Sequence, residues 1–211
     1  VVTAAVLAVI GWQMPAHLSL SATTEGMAFG LWPISWIVLN AVFFHNLTLA
    51  SGDFDVIRRS LTRLTADRRL QALLVAFSFG ALLEAIAGFG APVAITASIL
   101  ASLGFEPISA AVLALLANTA PVAFGALGTP IIALAKVTGF SEVLLSAMAG
   151  RILTPFCIIV PFWLVWAFAG FKGMMEVWPA ILVAGVTFAI PQLLVSNLHG
   201  PWVVNVVAAV I

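Results

Sequence analysis

The sequence predicts an all-α, polytopic integral membrane protein whose membrane helices are discontinuous or re-entrant. Of its 211 residues, 63% are hydrophobic and only 8% are charged, whereas a soluble globular domain carries about 25% charged residues. The apolar residues form runs long enough to cross a bilayer, and glycine and proline interrupt two of these runs. This composition excludes a soluble enzyme and a disordered chain. The net charge of zero provides no basic surface for nucleic acid.

We assign residues 1–211 to a single transmembrane domain. The chain begins without a Met and ends inside the apolar run 202–211. Neither terminal run reaches the roughly 20 residues of a spanning helix, so we expect the remainder of a longer polytopic chain to be missing. The first complete span is expected at about 28–50, where Trp32 and Trp36 are typical of a membrane interface.

A charged loop follows at about 51–69. It contains five of the eight basic residues, namely Arg58, Arg59, Arg63, Arg68 and Arg69. The positive-inside rule therefore places this loop in the cytoplasm, where it sets the topology. Apolar residues recur in it at helical spacing, which indicates a short surface helix in part of the loop; they are Phe54, Ile57, Leu61 and Leu64.

The first broken helix is predicted at about 70–104, where Gly88-Phe89-Gly90-Ala91-Pro92 interrupts the apolar run. An unbroken helix of about 35 residues would be about 50 Å long, far longer than the hydrocarbon core of a bilayer. The helix must therefore break, tilt strongly or fold into a re-entrant hairpin, and the sequence leaves these alternatives open.

The second broken helix is predicted at about 107–138. Asn118-Thr119-Ala120-Pro121 interrupts it, and Gly125, Gly128 and Pro130 follow. Both interruptions contain the tetrapeptide Ala-Pro-Val-Ala. Further spans are expected at about 143–169 and 177–195.

The two interruptions are the predicted substrate site. Backbone groups without partners cost several kcal/mol each in hydrocarbon, so irregular backbone survives there only inside protein or beside a water-filled cavity. The N-terminus of a half-helix presents free N–H groups and the positive end of the helix dipole, which suits a carboxylate. The alternative is a pair of proline-kinked helices whose breaks serve only packing.

Glu84 is the most informative single residue, because it lies in an apolar run four residues before the first interruption. Gly80, Glu84 and Gly88 share one helix face, and small residues on that face indicate packing against protein rather than lipid. A buried acid is expensive unless it is protonated or paired. We interpret Glu84 as a proton-titrating or substrate-linked acid; the alternative is a protonated carboxyl group bonded to a backbone carbonyl.

Other polar residues near the interruptions allow two readings each. The side chains of Asn118, Thr119 and Thr129 would either bond a ligand or cap freed backbone groups. Arg151 and Lys136 are candidate counter-charges for an organic anion, although Lys136 would equally well extend to the membrane interface. The sequence contains no motif for a metal, a nucleotide cofactor or a hydrolase, so we expect neither a cofactor nor an enzyme.

Several blocks of this sequence resemble the bacterial L-lactate permease family. The blocks are Phe29–Ile34, Arg68–Leu74, Glu84–Thr96, Ala117–Gly125, Val160–Val165 and Trp178–Ala180. The resemblance implies secondary transport of L-lactate, D-lactate and glycolate in symport with protons across the inner membrane, with this chain forming part of the N-terminal half. It also implies a distant similarity to transporters whose Asn-Thr motifs bind carboxylates at helical hairpin tips.

Under this resemblance, the backbone at Gly88, Phe89, Gly90 and Ala91, and at Asn118, Thr119 and Ala120, would hold the lactate carboxylate. Asn118, Thr119 or Thr129 would bond the substrate hydroxyl, and Glu84 would take the coupling proton. The partners would be a small carboxylate, protons and the lipid bilayer, with no nucleic acid. The alternatives are a non-transporting membrane subunit, a channel, or a transporter of a different small carboxylate.

Overall fold

The computed structural model describes residues 2–52, 56, 59–60, 64–88 and 90–211. The described residues form helices joined by turns, and no β-strand occurs among them. This confirms the predicted all-α class. The chain divides into two compact units, Val1–Phe43 and Phe44–Ile211, which are described separately below.

The first unit contains α1 (Val2–Ile10) and α2 (Ala16–Phe29), which contact each other where the Ser19 hydroxyl donates to the Ala5 carbonyl at 3.4 Å. The helix α3 (Ser35–Ser51) begins in this unit and runs past its boundary.

The span expected at 28–50 is kinked near its start. A π-helical turn at Gly30–Ile34 separates α2 from α3, and Trp32 within it has extended backbone (φ −142°, ψ 105°). A residue that precedes proline is disfavoured in helical conformation, and Pro33 follows Trp32. The helix that remains, α3, has 17 residues.

Eight of the 19 residues of the basic loop, 53–55, 57–58 and 61–63, lie outside the described residues. Of the four apolar positions that indicated a surface helix, only Leu64 is described, so that helix and the cytoplasmic placement of 51–69 stay predictions. At the end of the loop, Asp67 accepts hydrogen bonds from the backbone N–H of Arg69, at 2.8 Å, and from the Arg69 guanidinium. The side-chain bond from Arg69 is the main cause of a lowered pKa of Asp67.

The first long helix of the second unit is α4 (Arg68–Ile86), which is long and apolar enough to cross a membrane. Asp67 caps its N-terminus. The middle of the helix, Leu73–Phe79, is π-helical, a local widening that is frequent at functional sites. Glu84 lies in the last turns of α4, after this stretch.

The first interruption is a hairpin, because α5 (Ala91–Ser102) turns back along α4. A side-chain carbon on Gly80 would lie 3.4 Å from the Thr96 methyl group, although 16 residues of continuous helix would separate the two by about 24 Å. At the far end, the guanidinium of Arg68 donates to the Gly104 carbonyl at 2.5 Å. The chain therefore returns to the end of the bundle from which α4 started.

The helix α6 (Pro107–Asn118) follows α5 after a short turn and packs against it. Glu106 caps α6; the bond from the Ser109 hydroxyl, with bonds from the N–H groups of Ser109 and Ile108, lowers the Glu106 pKa. Because α5 and α6 have 12 residues each, each is about 18 Å long. Both interruptions therefore lie at a similar depth.

The second interruption is a bend rather than a reversal. A turn and a short 3₁₀ segment (Val122–Phe124) lead from α6 to α7 (Gly125–Thr138), and the axis changes direction by 68°. The pair α6 and α7 is apolar and long enough together to form one broken span. The fold thus combines a hairpin and a broken crossing, in agreement with the predicted class of discontinuous or re-entrant helices.

The remaining helices are α8 (Glu142–Glu176), α9 (Trp178–Leu198) and α10 (Val204–Val210). The guanidinium of Arg69 donates to Glu176 at 2.5 Å, which fixes the end of α8 beside the start of α4. Three helices, or four with the bent pair, are long and apolar enough to span a membrane among the described residues. The chain is therefore a multi-pass membrane protein.

Close packing of α8 and α9 depends on Gly150. The Ser146 hydroxyl donates to the Ser196 carbonyl at 3.0 Å, and a side-chain carbon on Gly150 would lie only 2.7 Å from the Ser196 Cβ. Small residues permit this approach between membrane helices.

We expect Gly150→Ala to lower the free energy of unfolding by about 1–3 kcal/mol, the usual effect of overpacking. The control is Gly26→Ala in α2, where the added carbon meets no other atom, so stability should be unchanged or slightly raised. Thermal unfolding of the two variants in detergent compares them. Equal stability of the two variants would contradict the packing of α8 on α9.

Candidate functional site

The two interruptions meet at a cavity of about 290 Å³ in the second unit. Its lining residues come from α4, from both interruptions and from α7, and they are Glu84, Gly90, Asn118, Val122, Gly125, Ala126 and Pro130. Three residues predicted to form the site, Glu84, Gly90 and Asn118, are thus brought together. The cavity is near the lower size limit of ligand sites, which suits a small molecule.

Glu84 supplies the acidic group of the cavity. Its side chain is 2% exposed, and its Oε2 atom has no hydrogen-bond partner among the described residues. The Asn118 side chain lies near the carboxyl group and lines the same cavity. No basic side chain lines the described cavity, and the ion pairs described elsewhere in the chain involve Arg69 rather than Glu84.

Gly125 makes room for the Glu84 carboxyl group. A side-chain carbon at Gly125 would lie 3.1 Å from Glu84 Cδ, 3.3 Å from Cγ and closer still to Oε1. The sequence showed Gly125 only as part of a helix break. Gly125 leaves space for the acid because α7 contacts α4 there. The two residues in contact, Glu84 and Gly125, are 41 positions apart in the sequence.

Gly88 lies where the first interruption packs against the second. Its φ is +59°, and a side-chain carbon there would lie 2.7 Å from the Ala126 Cβ. Gly90, with φ +83°, precedes α5 in left-handed conformation. Glycine is favoured at both positions because it adopts positive φ without steric cost. The neighbouring candidate, Phe89, lies outside the described residues.

Three consecutive residues of α7 have left-handed backbone: Ala126 (φ 43°), Leu127 (φ 56°) and Gly128 (φ 81°). Each non-glycine residue in this conformation costs about 1–2 kcal/mol. Gly128 packs against the Pro201 backbone, since a side-chain carbon would lie 2.8 Å from the Pro201 carbonyl carbon. Such strain tends to occur at functional sites, and Ala126 lines the cavity.

Two half-helix N-termini face the cavity. Regular helix begins at Ala91 in α5 and, after the left-handed residues, at Thr129 in α7. The adjoining Gly90 and Pro130 both line the cavity. Helix N-termini carry partial positive charge and N–H donors, which favours a small anion. The predicted donor at Ala91 is not free, because its N–H donates to the Gly88 carbonyl at 3.2 Å.

The backbone N–H groups at residues 119–120 are not available to a ligand as expected. The N–H of Thr119 donates to Leu116 O at 3.2 Å, and that of Ala120 donates to Ala117 O at 3.4 Å. These bonds form because α6 ends in a tight turn. The Thr119 hydroxyl donates to its own helix, at Leu115 O, and Ala120 is fully buried.

The other candidate residues lie outside the cavity lining. The Thr129 hydroxyl donates to the Ala126 carbonyl at 2.6 Å and so stabilises the left-handed turn. Lys136 is exposed in the last turn of α7. Arg151 is exposed, and its Nε donates to Asn197 Oδ1 at 2.8 Å. The roles of Lys136 and Arg151 as counter-charges stay predictions.

Comparison with known proteins agrees with the family that the sequence blocks indicate. The family model described as L-lactate permease matches residues 1–211. The chain belongs to the L-lactate permease family. This confirms the resemblance on which the sequence interpretation relied.

The proteins to which this chain is similar are named as permeases. The chain is 52% identical to the glycolate permease of Escherichia coli (strain K12) over 97% of its length. It is 50% identical to the L-lactate permease of Bacillus subtilis (strain 168) over 99%, and 46% identical to that of Escherichia coli (strain K12) over 100%. The chain spans 37–38% of the length of these relatives. No solved structure matches it significantly.

We expect Gly125→Ala to lower the free energy of unfolding by about 1–3 kcal/mol through overpacking against the Glu84 carboxyl group. In a Glu84→Ala background the same substitution should cost much less, because the opposing group is gone. Denaturation of the four proteins of this double-mutant cycle, followed in detergent, measures the coupling. Strictly additive effects would contradict the contact between the two residues.

Proposed function

We propose that this chain supplies the substrate and proton site of a secondary transporter in the bacterial inner membrane. The transporter carries L-lactate and related 2-hydroxymonocarboxylates, such as D-lactate and glycolate, in symport with protons. The names of the relatives support this substrate class. The observation that carries the proposal is the buried Glu84 in a cavity that two helix N-termini make favourable for an anion.

Proton coupling follows from having both groups in one small cavity. Two negative charges about 5 Å apart repel by roughly 3 kcal/mol at an effective dielectric constant of about 20. A bound carboxylate and a charged Glu84 therefore disfavour each other, and no described cation lines the cavity to offset the repulsion. The anion binds together with a proton on Glu84, and one proton per lactate makes transport electroneutral.

The substrate groups have specific counterparts in this proposal. The carboxylate lies at the N-termini of α5 and α7, where Gly90 and Pro130 line the cavity. The substrate hydroxyl bonds Asn118, whose side chain faces Glu84. Thr119 and Thr129 are second choices, because their hydroxyl groups bond backbone carbonyls in this structure.

We expect Glu84→Gln in the full-length permease to abolish lactate accumulation driven by a pH gradient, because glutamine carries no titratable proton. Exchange of lactate across the membrane should stay measurable, since a neutral side chain still permits anion binding. Uptake of radiolabelled lactate into proteoliposomes, with and without a pH gradient, measures both activities.

The control is Glu25→Gln, which neutralises an exposed acid of α2 and should leave accumulation unchanged. If Glu84→Gln retains accumulation, Glu84 is not the coupling acid. If the unmodified full-length protein shows no saturable lactate uptake, the chain belongs instead to a non-transporting membrane protein.

A further inference from the structure

The carbonyl groups freed at the second interruption are held by side chains of other helices. The Pro121 carbonyl accepts a hydrogen bond from Asn205 Nδ2 of α10 at 2.5 Å. The Ala120 carbonyl lies 3.8 Å from the Cys157 Sγ of α8. Because a freed carbonyl in hydrocarbon is destabilising without a partner, the Asn205 amide stabilises the irregular backbone at Pro121.

A third helix completes this group of side chains. The Cys157 thiol donates to Gln192 Oε1 of α9 at 2.8 Å. Gln192 and Cys157 are 0% exposed, and Asn205 is 1% exposed. None of the three lines the cavity, so they lie behind the interruption and not in the substrate site.

Packing alone does not explain the two amides. Gln192 Nε2 and Asn205 Oδ1 are buried and have no hydrogen-bond partner among the described residues. An unsatisfied buried polar group is destabilising, whereas an apolar residue of similar volume would fill the same space without that loss. The Asn205 amide therefore holds the Pro121 carbonyl at a defined position, and Gln192 orients the Cys157 thiol that lies beside the Ala120 carbonyl.

These carbonyls are two and three residues beyond Asn118, which ends α6 and faces Glu84. A displacement of the turn at 119–121 would move the Asn118 amide relative to the Glu84 carboxyl group. Small displacements of this kind have large effects, because a misplacement of about 1 Å in a site can reduce rates about a hundredfold.

We propose that Asn205 and the Cys157–Gln192 pair are positioning residues that fix the second interruption and, through it, the orientation of Asn118 in the cavity. The proposal rests on the proposed lactate site. It adds three residues from α8, α9 and α10 that do not touch the substrate.

The test uses Asn205→Leu in the full-length permease, which removes the donor to Pro121 and keeps the branched shape and the number of heavy atoms of the side chain. The KM for L-lactate should rise about tenfold, as expected for one lost buried hydrogen bond, with a smaller change in kcat. Asn205→Gln retains the amide and should restore part of the affinity. Thr187→Val is the control, because the Thr187 hydroxyl bonds its own helix α9, and it should leave KM unchanged.

A double-mutant cycle separates positioning from a purely structural role. If Asn205 acts through Asn118, Asn205→Leu and Asn118→Ala should affect KM non-additively, whereas the loss of thermal stability caused by the unpaired Pro121 carbonyl should be the same with and without Asn118→Ala. Additive effects on KM, or non-additive effects on thermal stability that parallel those on KM, would overturn the proposal.

Amide hydrogen exchange gives a readout that does not depend on transport. Exchange at residues 119–124 should be faster in Asn205→Leu than in the unmodified protein and in Thr187→Val. If both the amide exchange and the KM are unchanged in Asn205→Leu, the positioning role is refuted. The proposed function still holds in that case if proton coupling through Glu84 is normal. Absent lactate uptake by the unmodified protein would instead refute the proposed function, and the exchange measurement would still decide the positioning of the interruption.

Discussion

The need to satisfy backbone polar groups at membrane depth governs the second unit of this chain. The half-length helix α5 begins, and the half-length helix α6 ends, at a similar depth. Each break frees N–H and carbonyl groups that hydrocarbon cannot solvate. Tight turns, side chains such as Asn205 and a left-handed turn at Ala126–Gly128 satisfy part of this requirement. The remaining backbone groups lie beside a cavity, and we propose that the helix N-termini there form an anion site.

Glu84 gives this cavity its chemical character. An anion site made from helix ends alone would bind a carboxylate at any pH at which the substrate is charged. With a buried acid in the same cavity, binding of the anion and protonation of the acid favour each other, because two like charges repel strongly at low dielectric. Gly125 is required for this arrangement, since any side chain there would occupy the position of the carboxyl group.

The sequence was sufficient for the class of fold and for part of the candidate site. Composition and run length revealed the membrane helices and their breaks, and Glu84, Gly90 and Asn118 meet at one cavity. The hairpin at the first break depends on contacts distant in sequence, such as Arg68 with Gly104, which no local pattern contains. The role of Gly125 also depends on a contact distant in sequence, with Glu84, and therefore could not be predicted from a local pattern. The proline after Trp32 is a local signal for a kink, but the long apolar run around it favoured the prediction of a complete span.

The central claim is that the anion and the proton on Glu84 bind the same cavity together. The most direct test is the dissociation constant of L-lactate for the full-length permease, measured calorimetrically as a function of pH. Linkage to one proton predicts that, above the titration of Glu84, affinity falls about tenfold per pH unit, and that Glu84→Gln binds lactate with no such dependence. A pH-independent affinity of the unmodified protein, or an unaltered pH dependence in Glu84→Gln, would contradict the account.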